Sequence, residues 1–500
     1  MGRVRRWGLA AVAGVMPAAL AFTGIQVADA ATSKAAAGDG VKLVSAGKNI
    51  KAERYEYGAG WTVDLDLGLN VVAGREPIEI RATRKTYASP VVAELITKKG
   101  KVTLPRVLAP DLYTLKQFTT VTIKNAKGAV VRRYWTNFCP NAYDSVRTRP
   151  DAPAQTPYPT GCPSGNPFTL GTVWGVQAGW SARTSDIPTH GKPFDLPPGK
   201  YSVGVTINPP YQKLLNLPAK DATVALNLTV VKESAQAEAR TNAHRHHGQQ
   251  VSETHAEYRV PAQRPATRKA APAPGPRPDL RSLPAWGISI GKGAKNKWYV
   301  NFGATVWNAG DSPLLVDGFR RSGQDLMDAY QYFFDAQGNQ VGAVQAGTME
   351  WDARAGHNHW HFTDFAQYNL LKSDQKQVAR SGKEAFCLAN TDQVDYTIPL
   401  AKWRPYNTDL ETSCGEKNSV GVREVLDIGN GDTYTQDRPG QSFDVTSLPN
   451  GTYYIQVRAN PAGKLSEKST ANNTSVRKIV LGGTAKKRTL TVPPVNGIKG

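Results

Sequence analysis

The sequence predicts an all-β protein made of two β-sandwich-like domains. Short stretches rich in β-branched and aromatic residues, such as 121–124, 201–207 and 453–458, recur in both halves and are separated by Gly, Pro and Asn. This alternation is typical of strands joined by turns. Long helical periodicity is absent, and the best helix candidates are two short segments, 325–334 and 375–383.

The two halves also resemble each other. A segment that begins at Trp61 lines up with one that begins at Trp298, the surroundings of Cys139 match those of Cys387, and the turn-and-strand segment 196–209 matches 448–461. All three matches occur in the same order along the chain. We therefore expect the halves to be two copies of one sandwich.

Composition and length divide the chain into five segments. A basic start, an apolar run and an Ala-x-Ala site are typical of a secretory signal peptide, so export is expected. About 470 remaining residues suit two domains of roughly 200 residues and a linker. The expected segments are the signal peptide 1–30, an N-terminal sandwich 39–232, a Pro/Ala/Arg/His-rich linker 233–277, a catalytic domain 278–484 and a basic tail 485–500.

Charge and cysteine content narrow the partners and the compartment. The formal net charge is +20, but basic and aromatic residues do not interleave as nucleic-acid channels require, so an anionic cell-wall polymer is the more natural partner. No apolar run after the signal peptide reaches the roughly 20 residues of a membrane span. The protein is expected to be secreted or associated with the cell wall. Export also favours one disulfide per domain, Cys139–Cys162 and Cys387–Cys414.

One histidine cluster carries the strongest chemical signal. His357, His359 and His361 occupy every second position, so in an extended chain they point to one face. Three converging imidazoles suit copper or zinc, and the pattern alone does not choose between these metals. The alternative is a polar strand whose histidines face solvent. The linker has further histidines at 244, 246, 247 and 255, which in such a segment are more often a matter of composition.

The residues around the cluster favour copper over zinc. Trp351, the segment 362–371 with its Tyr-x-Leu-Leu, and the Lys-x-x-Phe-Cys-Leu segment 383–388 resemble the copper-binding signature of the lysyl oxidase family and the region that follows it. The resemblance extends over residues 278–481. It implies that His357, His359 and His361 bind copper.

The resemblance also implies a cofactor made from the protein itself. The family cross-links a lysine to an oxidised tyrosine, which gives lysine tyrosylquinone, and the matching positions here are Lys383 and Tyr434. The activity implied is oxidation of primary amines, of which peptidyl lysine is the expected class, to aldehydes. Oxygen is consumed, and ammonia and hydrogen peroxide are released. A catalytic carboxylate is required, and Asp352, Asp364 and Asp432 are unranked candidates.

The chain departs from the family in several places. It has one cysteine pair in this domain, two extra residues between Trp351 and the histidines, and Asp352 where the family has another histidine. The family's calcium site could be supplied by Asp279, Leu280, Asn472 and Asn473, but its nearby acidic residue has no counterpart, so calcium stays open.

Two other functions stay open for the second half. The second half could be a secreted copper-binding or cell-wall-binding module without turnover, or a zinc hydrolase, for which no base motif is present.

The first half can be searched for the same site residues by their distance from the matching cysteine. The three histidines and Lys383 precede Cys387 by fixed numbers of residues, and the same numbers before Cys139 give Ala109, Asp111, Tyr113 and Trp135. None of the histidines recurs, so we expect a sister domain without a redox site.

Overall fold

The computed structural model is built almost entirely of β-strands, which confirms the predicted all-β class. It describes residues 40–57, 60–141, 144–185, 194–232, 274–353, 358–382, 385–406 and 414–498. The described residues from Gly40 onward belong to one compact unit. The signal peptide and nearly all of the linker lie outside the described residues, so the predicted domain boundaries and the duplication stay predictions.

The first half of the chain forms three sheets around one hydrophobic core. Their strand orders are β1-β4-β12-β10, β11-β5-β6-β7 and β3-β2-β14-β13-β8-β9, and β2 and β14 pair in parallel. The elements are β1 (Lys42–Ser45), β2 (Asn49–Tyr57), β3 (Gly60–Asp64), β4 (Leu69–Val72), β5 (Ile78–Thr83), β6 (Val92–Thr97), β7 (Gly100–Thr103), β8 (Leu115–Asn125), β9 (Val130–Phe138), β10 (Val146–Arg147), β11 (Gly171–Val176), β12 (Trp180–Arg183), β13 (Gly199–Ile207), α1 (Pro209–Leu214) and β14 (Thr223–Lys232).

The second half forms three further sheets around its own core. The main paths are β15-β17-β27-β25, β24-β21-β20-β19-β18-β26 and β23-β22-β29-β30-β31. The elements are β15 (Leu280–Ser282), β16 (Trp286–Lys292), a 3-10 turn (Ala294–Asn296), β17 (Trp298–Asn308), β18 (Leu314–Arg320), β19 (Leu326–Phe334), β20 (Gln340–Asp352), β21 (His359–Thr363), β22 (Ala366–Lys372), β23 (Gln377–Arg380), β24 (Ala385–Phe386), β25 (Asp392–Gln393), β26 (Gly421–Leu426), β27 (Asn430–Tyr434), β28 (Ser442–Asp444), β29 (Gly451–Ala459), β30 (Thr474–Gly483) and β31 (Arg488–Thr491).

Both helix predictions in the second half are wrong. The segment expected at 325–334 is the strand β19, and the segment expected at 375–383 contains the strand β23. Strand β19 lies between β18 and β20 and is buried on both faces, so its apolar residues carry no period that separates helix from strand. Its aromatic residues, including Tyr332 and Phe334, fit such a strand.

Both predicted disulfides are present. Cys139 bonds to Cys162 and Cys387 bonds to Cys414. In the part of the chain that the structure describes, no helix is long and apolar enough to cross a membrane.

The two halves share an interface that continues one sheet of the first half. Leu170 donates its backbone N–H to the carbonyl of Val394 at 2.7 Å, and Tyr396 donates to the carbonyl of Gly171 at 3.0 Å. Gly171 and Asp395 form an isolated parallel bridge. The segment after β25 therefore lies along the start of β11 like an added strand.

Apolar and aromatic contacts surround this backbone contact. Phe168 of the first half is buried in one cluster with Trp286, Trp307 and Val394 of the second half. Tyr158 stacks on Trp403 with ring centroids 6.3 Å apart. The interface is thus a packed core of its own.

The close approach at Gly171 gives a first prediction. A Cβ at this position would lie 2.4 Å from both the Asp395 Oδ1 and the Thr397 Oγ1 atoms, so Gly171→Ala should lower the free energy of unfolding by about 1–3 kcal/mol. Gly204→Ala is the matched control, because a Cβ there meets open space. Urea unfolding of both variants measures the effect. Equal stabilities would contradict the tight packing of the interface.

A partly buried carboxyl group next to the interface gives a second prediction. Burial raises the pKa of Asp392 to about 6, well above its usual value. The folded state then holds this proton more tightly than the unfolded chain does, so its stabilising effect is complete below about pH 4 and is lost as the pH rises through 6. Relative to Asp392→Asn, the wild-type protein should lose up to roughly 3 kcal/mol of stability between pH 4 and 7. Parallel stability curves from urea unfolding across this range would refute the prediction.

Candidate metal centre and tyrosine pocket

Strand pairing brings two of the predicted histidines together. Strand β21 pairs antiparallel with β20, with Trp351 opposite Trp360 and Asp352 opposite His359. Trp360 is fully buried in the main core of the second half. Since side chains alternate along a strand, His359 and His361 point to the other face of the sheet.

The two imidazoles converge on one point. The Nε2 atoms of His359 and His361 are 2.9 Å apart, and His361 is almost completely buried. Two nitrogen ligands about 2 Å from one metal ion, at an angle near a right angle, have about this separation. The pair therefore fits two ligands of a copper or zinc ion.

Asp352 orients the buried imidazole. Its Oδ2 atom lies 3.2 Å from Nδ1 of His361, and both side chains are shielded from solvent. A carboxylate at this distance accepts the Nδ1–H, so the lone pair of Nε2 faces away, toward His359. Such carboxylate–histidine pairs are typical of metal sites. The residue that replaces a family histidine thus contacts one of the predicted ligands.

Tyr434 has its hydroxyl fixed by one backbone unit. The hydroxyl accepts a hydrogen bond from the N–H of Cys387 and donates one to the carbonyl of the same residue, each at 3.1 Å. Its ring meets that of Phe386 edge-on, with centroids 5.1 Å apart. Both the position and the orientation of the phenol are therefore determined.

Burial and nearby negative charge keep the Tyr434 phenol protonated. Burial raises its pKa well above the usual value, and the charge of Asp432 raises it further. Burial likewise raises the pKa of Tyr368, again with a contribution from Asp432. Asp432 is itself buried. Of the three carboxylates considered from the sequence, Asp432 is the one with this electrostatic link to Tyr434.

The imidazole pair and the phenol belong to two different sheets, which are in contact at Phe386. Phe362 of the histidine strand pairs directly with Phe386, and Phe386 contacts Tyr434. His361 immediately precedes Phe362 in the chain. The histidine strand and the candidate cofactor tyrosine are therefore connected through Phe386.

The remaining predicted residues have different placements. His357 and Lys383 lie outside the described residues. Asp364, the third carboxylate candidate, is exposed and forms an ion pair with Lys464 at 2.8 Å. Among the described residues, no group of three His, Cys, Asp or Glu side chains is arranged to hold a metal.

The side chains considered for calcium do meet, and an acidic residue joins them. The Nδ2 atom of Asn472 lies 3.0 Å from Asp279 Oδ1, and Nδ2 of Asn473 lies 2.7 Å from Oε1 of Glu467. The sequence did not indicate Glu467, which lies next to these side chains in the folded chain. Arg281 also pairs with Asp279 at 2.8 Å. The Oδ1 atoms of both asparagines are buried without a hydrogen-bond partner among the described residues, which suits an oxygen-preferring cation.

Two carboxylates near the tyrosine pocket were also missed from the sequence. Oε2 of Glu424, which is fully buried, accepts the N–H of Leu388 at 2.9 Å. Asp392 accepts a hydrogen bond from Thr433, the residue before Tyr434, at 3.0 Å. The only signal for Glu424 is a pair of adjacent charges, Arg423 and Glu424, between apolar residues of β26. Asp392 follows other polar residues, so its sequence context does not mark it as a functional residue.

Comparison with known proteins agrees with the residues that the structure brings together. A family model described as lysyl oxidase matches residues 329–489. Lysyl oxidase homolog 4 of Mus musculus is 31% identical over 130 residues, which is 26% of this chain and 15% of the relative. Protein-lysine 6-oxidase of Gallus gallus is 31% identical over 125 residues, 25% of this chain and 26% of the relative. Lysyl oxidase homolog 3B of Danio rerio is 29% identical over 145 residues, 28% of this chain and 16% of the relative.

These matches cover only part of each protein, and they fall on the half that carries the imidazole pair and the tyrosine pocket. The predicted resemblance of the C-terminal half is confirmed by them. The C-terminal region of this chain carries a lysyl oxidase domain over residues 329–489.

Proposed function

We propose that this protein is a secreted copper-dependent amine oxidase that acts on primary amines, with peptidyl lysine as the substrate class. The observation that carries the proposal is the convergence of His359 and His361 next to Asp352, inside a lysyl oxidase domain. A polar strand with solvent-facing histidines would not bury His361. The absence of a nearby base motif also disfavours the zinc hydrolase.

Copper would be held by His357, His359 and His361. Asp352 keeps the Nε2 atom of His361 free of its proton by accepting the Nδ1–H, so this ligand needs no proton loss before it binds a cation. When bound, copper and the quinone would supply oxidative deamination, in which the primary amine, oxygen and water give an aldehyde, ammonia and hydrogen peroxide.

The quinone would be lysine tyrosylquinone, formed from Lys383 and Tyr434. Chain connectivity supports this pairing, because Lys383 is four residues from Cys387, whose backbone binds the Tyr434 hydroxyl. Four residues span at most about 14 Å, and an extended lysine side chain covers about half of that distance. If the segment between the two residues is not fully extended, the amine would be able to reach the phenol ring.

Asp432 is the carboxylate that we assign to proton transfer at the substrate. It is buried, and its charge acts on both Tyr434 and Tyr368. A carboxylate in such a position could accept a proton from the α-carbon of a substrate amine held at the ring of Tyr434. Asp364 is a poorer choice, since it is exposed and paired with Lys464.

The decisive experiment is a search for the cross-link in the full chain after loading with copper and oxygen. Mass spectrometry should show one peptide joining Lys383 to Tyr434, and an alkylamine should release hydrogen peroxide. Tyr434→Phe and Lys383→Arg should each abolish the cross-link and lower peroxide release at least a hundredfold. Lys376→Arg, at an exposed lysine, is the matched control and should behave as wild type.

The same experiment separates the alternative function. Unmodified Lys383 and Tyr434 peptides from fully copper-loaded protein would refute the oxidase and favour a copper-binding module without turnover. The anionic cell-wall polymer and calcium stay predictions. For calcium, Asp279, Glu467, Asn472 and Asn473 are the side chains that would hold the ion.

The orientation of His361 gives a further prediction. Asp352→Ala removes the partner of Nδ1, so copper affinity should fall about 10- to 100-fold. Asp364→Ala removes an exposed carboxylate of the same sheet and should change the affinity by less than about threefold. Competition with a copper chelator measures both. Equal affinities for the two variants would show that Asp352 does not act on the metal site.

A further inference from the structure

The first half of the chain reaches into the second half through one buried side chain. Asn166 is almost completely buried, and its Nδ2 atom donates to Oδ2 of Asp392 at 2.5 Å and to Oγ1 of Thr305 at 3.2 Å. Both acceptors belong to strands of the second half. A polar contact buried at this depth has a defined geometry, because leaving either partner unsatisfied is costly.

The loop that carries Asn166 is held in place by its own half. Arg84 donates from Nε to the carbonyl of Thr169 at 2.9 Å, and its other nitrogens donate to the carbonyls of Tyr87 and Pro167. Oδ1 of Asn166 accepts the N–H of Phe168 at 2.9 Å. Because the oxygen is engaged within the loop, the amide nitrogen must face the second half.

Both acceptors of Asn166 also contact Thr433, the residue before Tyr434. Thr433 donates to the same Asp392 Oδ2 atom at 3.0 Å, and its hydroxyl lies 2.7 Å from that of Thr305. Asn166, Asp392, Thr305 and Thr433 thus form one closed hydrogen-bonded network. Asn166 is the only member from the first half.

The strand that carries Tyr434 is paired unequally on its two sides. Strand β27 has five residues, of which four pair with the long strand β17, whereas its other side pairs only with β25, which has two residues. Strand β25 continues into the segment that lies along β11 of the first half. The first half therefore restrains β27 both through the backbone and through Asn166.

We infer that Asn166 is a positioning residue for Tyr434, and that the first half completes the site of the second half. The inference rests on the proposed function for its catalytic consequence, but not for the restraint itself. Loss of the amide donor would let β27 and the Tyr434 ring move. The ring would then spend less time where the Lys383 amine can reach it.

The test compares Asn166→Ala and Asn166→Leu in the full copper-loaded chain. Asn166→Leu keeps nearly the same volume but has no donor for Asp392, so an effect in both variants identifies the lost hydrogen bond and not a cavity. Asn141→Ala is the matched control, because Asn141 is equally buried and makes three hydrogen bonds inside the first half.

Two measurements distinguish the restraint of β27 from the formation of the cross-link. Hydrogen exchange of the peptide that contains β27 should be at least tenfold faster in both Asn166 variants than in Asn141→Ala. The initial rate of cross-link formation per folded molecule should fall at least tenfold in the same two variants.

The outcomes are distinguishable. Unchanged exchange in β27, or an equal change in Asn141→Ala, overturns the positioning role. If the wild-type protein forms no cross-link, the proposed function fails, whereas exchange still decides whether Asn166 restrains the strand. Faster exchange with an unchanged cross-linking rate refutes the catalytic part of the inference.

Discussion

The site depends most on the two hydrogen bonds between the Tyr434 hydroxyl and the backbone of Cys387. They join the end of β27 to the chain that follows β24, and β24 pairs with the histidine strand. Cys387 is further tied to Cys414 by a disulfide. A phenol that both donates to and accepts from one residue has little freedom to rotate away. The relation between the phenol and the imidazole pair therefore depends on the backbone of β27 and of the segment that follows β24.

The electrostatic surroundings of Tyr434 follow from this geometry. Glu424 and Asp432 are carboxylates buried close to the phenol, and both raise its pKa. Buried acidic groups are costly to a fold unless they are hydrogen-bonded, and Glu424 receives the N–H of Leu388 for this purpose. A cluster of acidic groups inside an apolar core is a typical sign of a functional site, because packing alone would favour apolar residues.

The sequence predicted the class of fold, both disulfides and the lysyl oxidase resemblance of the second half. These features depend on local composition or on closely spaced motifs such as the alternating histidines. It failed for β19, where burial on both faces removes any period, and for Glu467, whose proximity to Asp279 exists only in the folded chain. Asn166 and Asp392 are also far apart in sequence. A contact between two such polar residues leaves no mark on the composition of either segment.

None of the predicted metal ligands lies in the first half, which would be dispensable to the site if the two halves were independent. Their interface argues against independence, because it contains a buried aromatic cluster around Phe168 and Trp307, a strand-like backbone contact at Gly171, and the polar network of Asn166. Apolar packing can hold two domains together but tolerates small shifts, whereas the hydrogen bonds of Asn166 to Asp392 and Thr305 require one relative position. The two-residue strand β25 supports one side of β27, and the first half holds β25 in turn through the backbone contacts of Val394 and Tyr396. The contacts of the first half therefore restrain the short strands next to Tyr434.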